Sequence, residues 1–207
     1  MDIVIHPTYF PNVAHFAAML QADNVILERC DNYQKQTYRN RTYIYAANGK
    51  LLLNIPIRHT QKNRQLYKDV KIANDTDWQL LHWKSLESAY RTSPYFEFYE
   101  ADLEPLFKTP FESLLDFNIK CLEAICECLQ VEIAFTNTSE YQKELVAPVE
   151  DFRNLVNSKK EPSRKFEPYT QVFGDKHGFI SNLSILDLLF CEGPNSITYL
   201  EAQKLQK

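Results

Sequence analysis

Apolar positions along this chain follow two rhythms, and each change of rhythm marks an element. Ile3, Val4 and Ile5 form a short β-branched run ahead of Pro7, which reads as a buried strand. From Pro11-Asn12 to about Ala22 the spacing changes. Val13, Phe16, Ala17 and Leu20 fall at i, i+3, i+4 and i+7, the stripe of a helix. A second short apolar run covers Asn24 to Leu27. Strand, helix and strand predict a βαβ unit with a parallel pair. Further on, Thr42 to Tyr45 and Lys50 to Ile57 flank Asn48-Gly49. Asn-Gly between two β-rich runs predicts a hairpin, because both residues tolerate positive φ. Pro56 should stop the second strand or hold it at an edge.

The second half of the chain is mainly helical in pattern. Asp77 is placed to cap a helix from Trp78 to about Arg91, with Trp78, Leu81, His82, Ser85 and Ala89 on one face. Ser93-Pro94 ends it, and the aromatic run from Pro94 to Tyr99 is expected to pack on the core. The clearest helix runs from about Phe111 to Leu129, with a stripe from Phe111, Leu114, Leu115, Ile119, Leu122, Ile125, Cys126 and Leu129. A strand from Val131 to Thr136 follows, and Val70 to Ile72 is a candidate further strand. His59 to Lys68 is polar and basic and reads as a loop. Residues 139–168 are irregular and polar, with Ser158 to Lys165 at the surface. Pro168 to Phe173 reads as a short extended piece. Ser184 to Cys191 is a short helix, with Gly193-Pro194 just past its end. The fold predicted is a single α/β domain over 1–207. It has a mixed sheet whose parallel core comes from the strands at Ile3, Val25 and Val131, a β-hairpin over 42–57, and covering helices.

Composition narrows the function. The 207 residues are 44% hydrophobic and 24% charged, with a net charge of -4, so a protein that wraps nucleic acid is not expected. The basic stretch from Arg58 to Lys71 leaves nucleic-acid binding as a weaker idea. No run of about 18 apolar residues is present, and the N-terminus lacks the features of a signal peptide, so a cytoplasmic location is expected. Five cysteines, an odd number, argue against a disulfide framework. Cys126 and Cys128 lack a second paired half, so no metal site is expected. With only four glycines there is neither a G-x-G-x-x-G fingerprint nor a P-loop, and no cofactor is expected.

Several residues carry candidate chemistry. His6 stands between a buried strand and a helix start, where ligands of α/β proteins gather, so it can serve as a general base or a phosphate contact. A histidine that bonds loop backbone is the plainer alternative. Lys35, Arg39 and Arg41, interleaved with Gln34, Tyr38 and Asn40, can hold a phosphate through charge-assisted hydrogen bonds, although basic loops are usually solvated surface. His82 lies on an apolar helix face, where a hydrogen-bonded core histidine is the commoner case. Asp187 follows Ser184 at capping-box spacing. The aromatics from Tyr90 to Tyr99 can stack on a sugar or simply fill the core.

Taken together, certain motifs are familiar. They are His6-Pro7 with Tyr9-Phe10-Pro11, Gln21-Ala22-Asp23, Tyr33-Gln34-Lys35, Arg39-Asn40-Arg41 and Asn48-Gly49. They continue with Trp78 and His82, Tyr90 with Ser93 to Phe96, Tyr169 with Gln171, and Asn182 to Phe190. In this order and spread the chain resembles the WbqC-like family of bacterial proteins, which is associated with surface polysaccharide (O-antigen) biosynthesis. Longer members carry a glycine-rich stretch with a Tyr-Leu-Ser-Gly-like motif after the strand that matches Val131 to Thr136. Here no glycine occurs between Leu51 and Gly174.

The resemblance implies a transferase acting on a phosphorylated or nucleotide-linked sugar, with acyl or aminoacyl transfer as one version. In that reading His6 and His82 are catalytic. Tyr9, Gln34, Lys35, Arg39, Asn40, Arg41, Tyr95 and Asp187 contact substrate. The alternative is a non-catalytic binding or assembly protein in envelope biogenesis, which the missing glycine-rich stretch favours.

Overall fold

Four short strands form a parallel sheet in the order β5-β2-β1-β6: β1 (Asp2–Ile5), β2 (Asn24–Leu27), β5 (Phe135–Asn137) and β6 (Glu150–Asp151). The structure, a computed structural model, describes residues 1–58, 64–159 and 165–205. β1 and β2 pair in register from Asp2 with Asn24 to Ile5 with Leu27. Between them lies α1 (Val13–Leu20), capped by Asn12, whose Oδ1 accepts from the His15 N–H at 2.9 Å. The predicted βαβ unit is therefore present. α1 is buried on every side from Val13 to Met19, not along a single stripe. It packs against α6 (Ile185–Glu192) and α7 (Ser196–Ala202).

The carboxyl ends of β1, β2 and β6 lie side by side. Leaving β1, the chain reaches His6. Leaving β2, it reaches Glu28 and Asp31. Leaving β6, it reaches Arg153. One sheet edge thus gathers the side chains of three distant segments, the usual location of an α/β site. Just beyond His6, Phe10 takes a positive φ of 41°, strained for an aromatic residue. Its carbonyl is held by the hydroxyls of Thr42 (3.0 Å) and Ser184 (3.2 Å).

The hairpin, β3 (Arg41–Ala46) and β4 (Gly49–Asn54), stands as its own two-stranded sheet. Its turn differs from the simple expectation. Ala46 pairs with Gly49, so Ala47 and Asn48 are the turn residues, and only Gly49 takes a positive φ, 98°. The two-residue turn therefore lacks positive φ at its central residues, and the glycine that follows it takes the left-handed conformation while the register stays unbroken. β4 stops at Asn54, ahead of Pro56, as expected.

Among the helices, α2 (Trp78–Tyr90) and α4 (Leu114–Leu129) match the predicted segments closely. The buried face of α2 matches in part, with Trp78, His82 and Ala89 buried as expected. It consists of Trp78, His82, Trp83, Leu86, Ala89 and Tyr90, while Leu81 is 61% exposed and Ser85 caps back onto the Leu81 carbonyl. Asp77 makes no side-chain capping bond. The aromatic run after Pro94 is part of a full helix, α3 (Phe96–Lys108). Val131 lies outside the ladder, and β5 starts four residues later. Val70 to Ile72 makes only isolated bridges. α5 (Gly174–His177), α6 (Ile185–Glu192) and α7 (Ser196–Ala202) complete the chain. Much of the predicted basic loop at 59–68 and the surface loop at 158–165 lies outside the described residues. Among the described residues no helix is long and apolar enough to cross a membrane.

Candidate functional site

Asp31 is the hub of the site. Its Oδ2 accepts from His6 Nε2 at 2.9 Å and from Arg39 Nη2 at 2.6 Å. Both partners are essentially buried, with 3% of the His6 side chain and none of the Arg39 side chain exposed. Burial alone would push the Asp31 carboxyl up. The His6 hydrogen bond and the Arg39 charge outweigh it and hold Asp31 below its ordinary value. A carboxylate can only accept, so His6 carries its proton on Nε2 and its Nδ1 keeps the lone pair. Burial, together with Arg39, holds the His6 pKa down, and the imidazole is neutral at pH 7.

The neighbours of this group fix its position. His15, one turn into α1, donates from Nε2 to the His6 carbonyl at 2.7 Å. Burial lowers the His15 pKa to about 3, so it too is neutral. Arg39 lies over the Tyr67 ring, 5.2 Å from its centroid. Asn118 of α4 donates to the Arg39 carbonyl at 2.6 Å and also to the Tyr67 hydroxyl. Segment 31–40 is stitched on both sides. The Tyr9 N–H donates to the Tyr38 carbonyl, and the Tyr38 N–H donates to the Val156 carbonyl. Even so, His6 Nδ1, Asp31 Oδ1 and Arg39 Nε are buried without a partner among the described residues. Three such atoms in one ion-paired group are unusual in a protein interior and mark it as incomplete without a further polar group.

That group forms the floor of a cavity of about 390 Å³. Gln34 stands on one side, and the opposite wall is the segment that follows β5, through Tyr141, Lys143, Asp151, Arg153 and Asn157. Arg153 organises this wall. It grips Asp151 with Nε (2.9 Å) and Nη2 (2.6 Å), donates to the carbonyls of Gln142 (2.6 Å) and Lys143 (3.2 Å), and lies under the Tyr141 ring. Lys143 and the amides of Gln34 and Asn157 therefore line the cavity, while Arg153 and Asp151 are paired with each other. This lining suits an anionic ligand that has hydroxyl groups to satisfy.

The structure brings together His6, Gln34 and Arg39 of the residues singled out from sequence. The others lie elsewhere. Lys35 is exposed and outside the cavity lining. Asn40 is structural in its contacts: Nδ2 donates to the Ile55 carbonyl and to Asn54. Arg41 opens β3, opposite Asn54. Tyr9 and His82 are bonded to each other, hydroxyl to Nδ1, at 2.9 Å inside the core. Burial lowers the His82 pKa to about 4. Tyr95 packs its ring against Gly193, where a Cβ would meet it at 2.6 Å. Asp187 is not part of a capping box. Its carboxylate accepts from Tyr90 (2.7 Å), Tyr169 (2.6 Å) and Gln171 (2.8 Å).

Asp31, Arg153, Asp151 and Tyr141 were not visible as site residues in the sequence. Asp31 only opens a polar stretch, and no fixed spacing ties it to His6 or Arg39. The other three lie in the region that reads as irregular insertion. The one available signal was Arg153, a lone arginine directly after Phe152 and two residues before Leu155.

Three comparisons with known proteins bear on this site. A model of the WbqC-like protein family matches residues 6–159, a span that runs from His6 through Arg153 and Asn157. The uncharacterized protein Rv1507c of Mycobacterium tuberculosis is 24% identical over 226 residues, covering 95% of this chain and 96% of its own length. No solved structure gives a significant match. Since the family model covers most of the chain and every wall of the cavity, the chain belongs to the WbqC-like protein family.

Proposed function

We propose that the protein is a group transferase acting on a nucleotide-linked sugar or similar phosphorylated small molecule, in the cytoplasmic steps of bacterial surface polysaccharide biosynthesis. The observation that carries this reading is the Asp31 carboxylate shared between His6 and Arg39 at the floor of a polar cavity. Asp31 fixes the His6 tautomer and would stabilise the imidazolium formed when Nδ1 takes a proton from an acceptor hydroxyl or amine. Lys143 and Gln34 would hold the anionic part of the substrate, on a wall that Arg153 braces.

A second reading, a binding or assembly protein without turnover, has one observation in its favour. His6 Nδ1 is buried, so a substrate reaches it only if the site rearranges. One experiment separates the two. Thermal shifts are measured with nucleotide-sugars, nucleoside diphosphates and acyl donors, on the natural protein and on Lys143→Ala and His6→Gln. A ligand at 100 times its Kd stabilises by about 2.7 kcal/mol. A shift with a nucleotide-sugar, weakened in Lys143→Ala, together with turnover reduced at least ~100-fold in His6→Gln, supports the transferase. Binding without turnover in any pairing supports the second reading. No shift with any anion overturns both assignments of this cavity.

A further inference from the structure

The face of the parallel sheet turned away from α1 is incompletely filled. Ile3, Ile5, Val25 and Leu27 belong to the main core, but the alternate residues Val4 and Ile26 point to the opposite side. There the segment after β5 encloses a second cavity of about 260 Å³. Its apolar lining is Val4, Ile26, Leu145 and Val149, and Val146, also in the lining, is 80% exposed. Its rim consists of amides and hydroxyls from residues 137–139 and Gln142, with the carboxylates of Glu28 and Glu140. The rim carboxylate of Glu28 is already engaged. It accepts from the Cys30 N–H (2.8 Å) and the Thr138 hydroxyl (2.9 Å) and lies 3.5 Å from Arg153.

That last contact joins the linings of two neighbouring cavities. Glu28 lines the second, Arg153 lines the first, and their buried ion pair links the two linings. The overlying segment serves both: Tyr141 and Lys143 line the first, and Gln142 lines the second. Arg153, through the carbonyls of Gln142 and Lys143, holds it in place over the two.

We propose that the second cavity takes the uncharged alkyl or acyl part of the same ligand whose anionic part occupies the His6–Asp31–Arg39 cavity. This rests on the anion-binding reading above. An anionic group is a poor occupant, because the lining offers it apolar side chains and the carboxylates of Glu28 and Glu140 but no cation. A methylene chain is a good one, each buried carbon tightening binding about fourfold. The volume accommodates up to about eight heavy atoms, at roughly one water's share of 30 Å³ each.

The test is a calorimetric titration with inorganic phosphate and the n-alkyl phosphates from methyl to octyl. It is run on the natural protein and on two variants that fill the second cavity, Ile26→Trp and Val149→Phe. Affinity should rise about fourfold per carbon and then level off. The filled variants should bind inorganic phosphate unchanged and lose the gain with chain length. Phosphate binding that stays flat across the series overturns the second cavity and leaves the anion site standing. A gain that persists in both filled variants places the chain elsewhere and overturns the assignment. No binding of phosphate or any alkyl phosphate overturns the anion site, and the proposal with it. An independent readout uses pentanamide, which needs no anion site. It should shift the methyl resonances of Val4 and Ile26, and unshifted methyls sink the proposal whatever the phosphates do.

Discussion

Two buried carboxylates in this molecule look alike in the sequence and behave oppositely in the structure. Asp187 has none of its surface exposed, and both oxygens are used, by two tyrosine hydroxyls and a glutamine amide. Asp31 shares one oxygen between His6 and Arg39 and leaves the other without a partner, beside a cavity. The first group is closed: every donor has an acceptor, and α2, α6 and the stretch at 169–171 are tied together. The second is open, with polar atoms that the protein alone does not satisfy. Closed polar clusters fix a fold, and open ones beside a cavity are where ligands complete the set.

The sharpest way to break this contrast is to remove the hub. Asp31→Ala leaves the wholly buried Arg39 guanidinium without a counter-charge, a situation that typically costs about 3–5 kcal/mol. The variant should be largely unfolded or lose most of its denaturant resistance in a urea melt. The double change Asp31→Leu with Arg39→Met removes both charges and should recover much of the loss. If the single variant melts like the natural protein, Asp31 and Arg39 are not the coupled pair described here.

Asp187→Ala comes next, at about 3 kcal/mol, because it strands the hydroxyls of Tyr90 and Tyr169 and the Gln171 amide. The contrast with Asp31 is visible in pH as well. Burial raises the Asp187 pKa despite its three donors, whereas Asp31 is held low. The folded state therefore favours protonated Asp187, and its contribution is fullest below the ordinary value of 3.8 and drains as pH rises through the folded value. Asp31 runs the other way, its contribution present above 3.8 and lost as pH falls through its lower folded value. Urea melts of Asp187→Asn should show a gap to the natural protein that widens toward pH 4. A constant gap would mean that Asp187 titrates normally.

His82 offers a smaller and cleaner test. It is the closed counterpart of His6, a core histidine bonded to Tyr9. Burial depresses its pKa from 6.5 to about 4, so the unfolded chain binds its proton more readily. Stability from this group is full above pH 6.5 and is lost as pH falls toward about 4, by at most about 3 kcal/mol. His82→Gln, which cannot titrate, should be less stable than the natural protein at pH 7.5, with the gap closing by pH 4. A gap independent of pH would place His82 in contact with water.

What could be read in advance follows a physical line. β1, β2, α1, α4 and the hairpin were legible because each is encoded locally, by apolar spacing or by a turn residue. α3 was hidden. Its buried residues Phe96, Tyr99, Leu103, Leu106 and Phe107 do keep helical spacing, but exposed Phe98 and interior Pro105 break the pattern. β6 is two acidic residues, and only its pairing with Ile3 and Val4 makes it a strand. The site divides in the same way. His6 is announced by the strand before it. Asp31, Asp151 and Arg153 come together only because three strand ends meet at one sheet edge, a long-range fact with no local trace.

The smallest predicted effect concerns a residue that sequence alone would place in the site. Lys35 belongs to the basic cluster with Arg39, yet its side chain is exposed and does not line the cavity. An exposed lysine outside any network contributes within about 0.5 kcal/mol to stability, and its charge acts on a bound anion only through screening solvent. Lys35→Ala should therefore melt with the natural protein and bind phosphate within about twofold at 0.15 M salt. Lys143→Ala, removing the same charge from the cavity wall, should weaken binding at least ~10-fold, as expected for a charge-assisted hydrogen bond. If the two variants weaken binding equally, the anion is held by general surface charge rather than by this cavity, and the open cluster loses its claim to be a site.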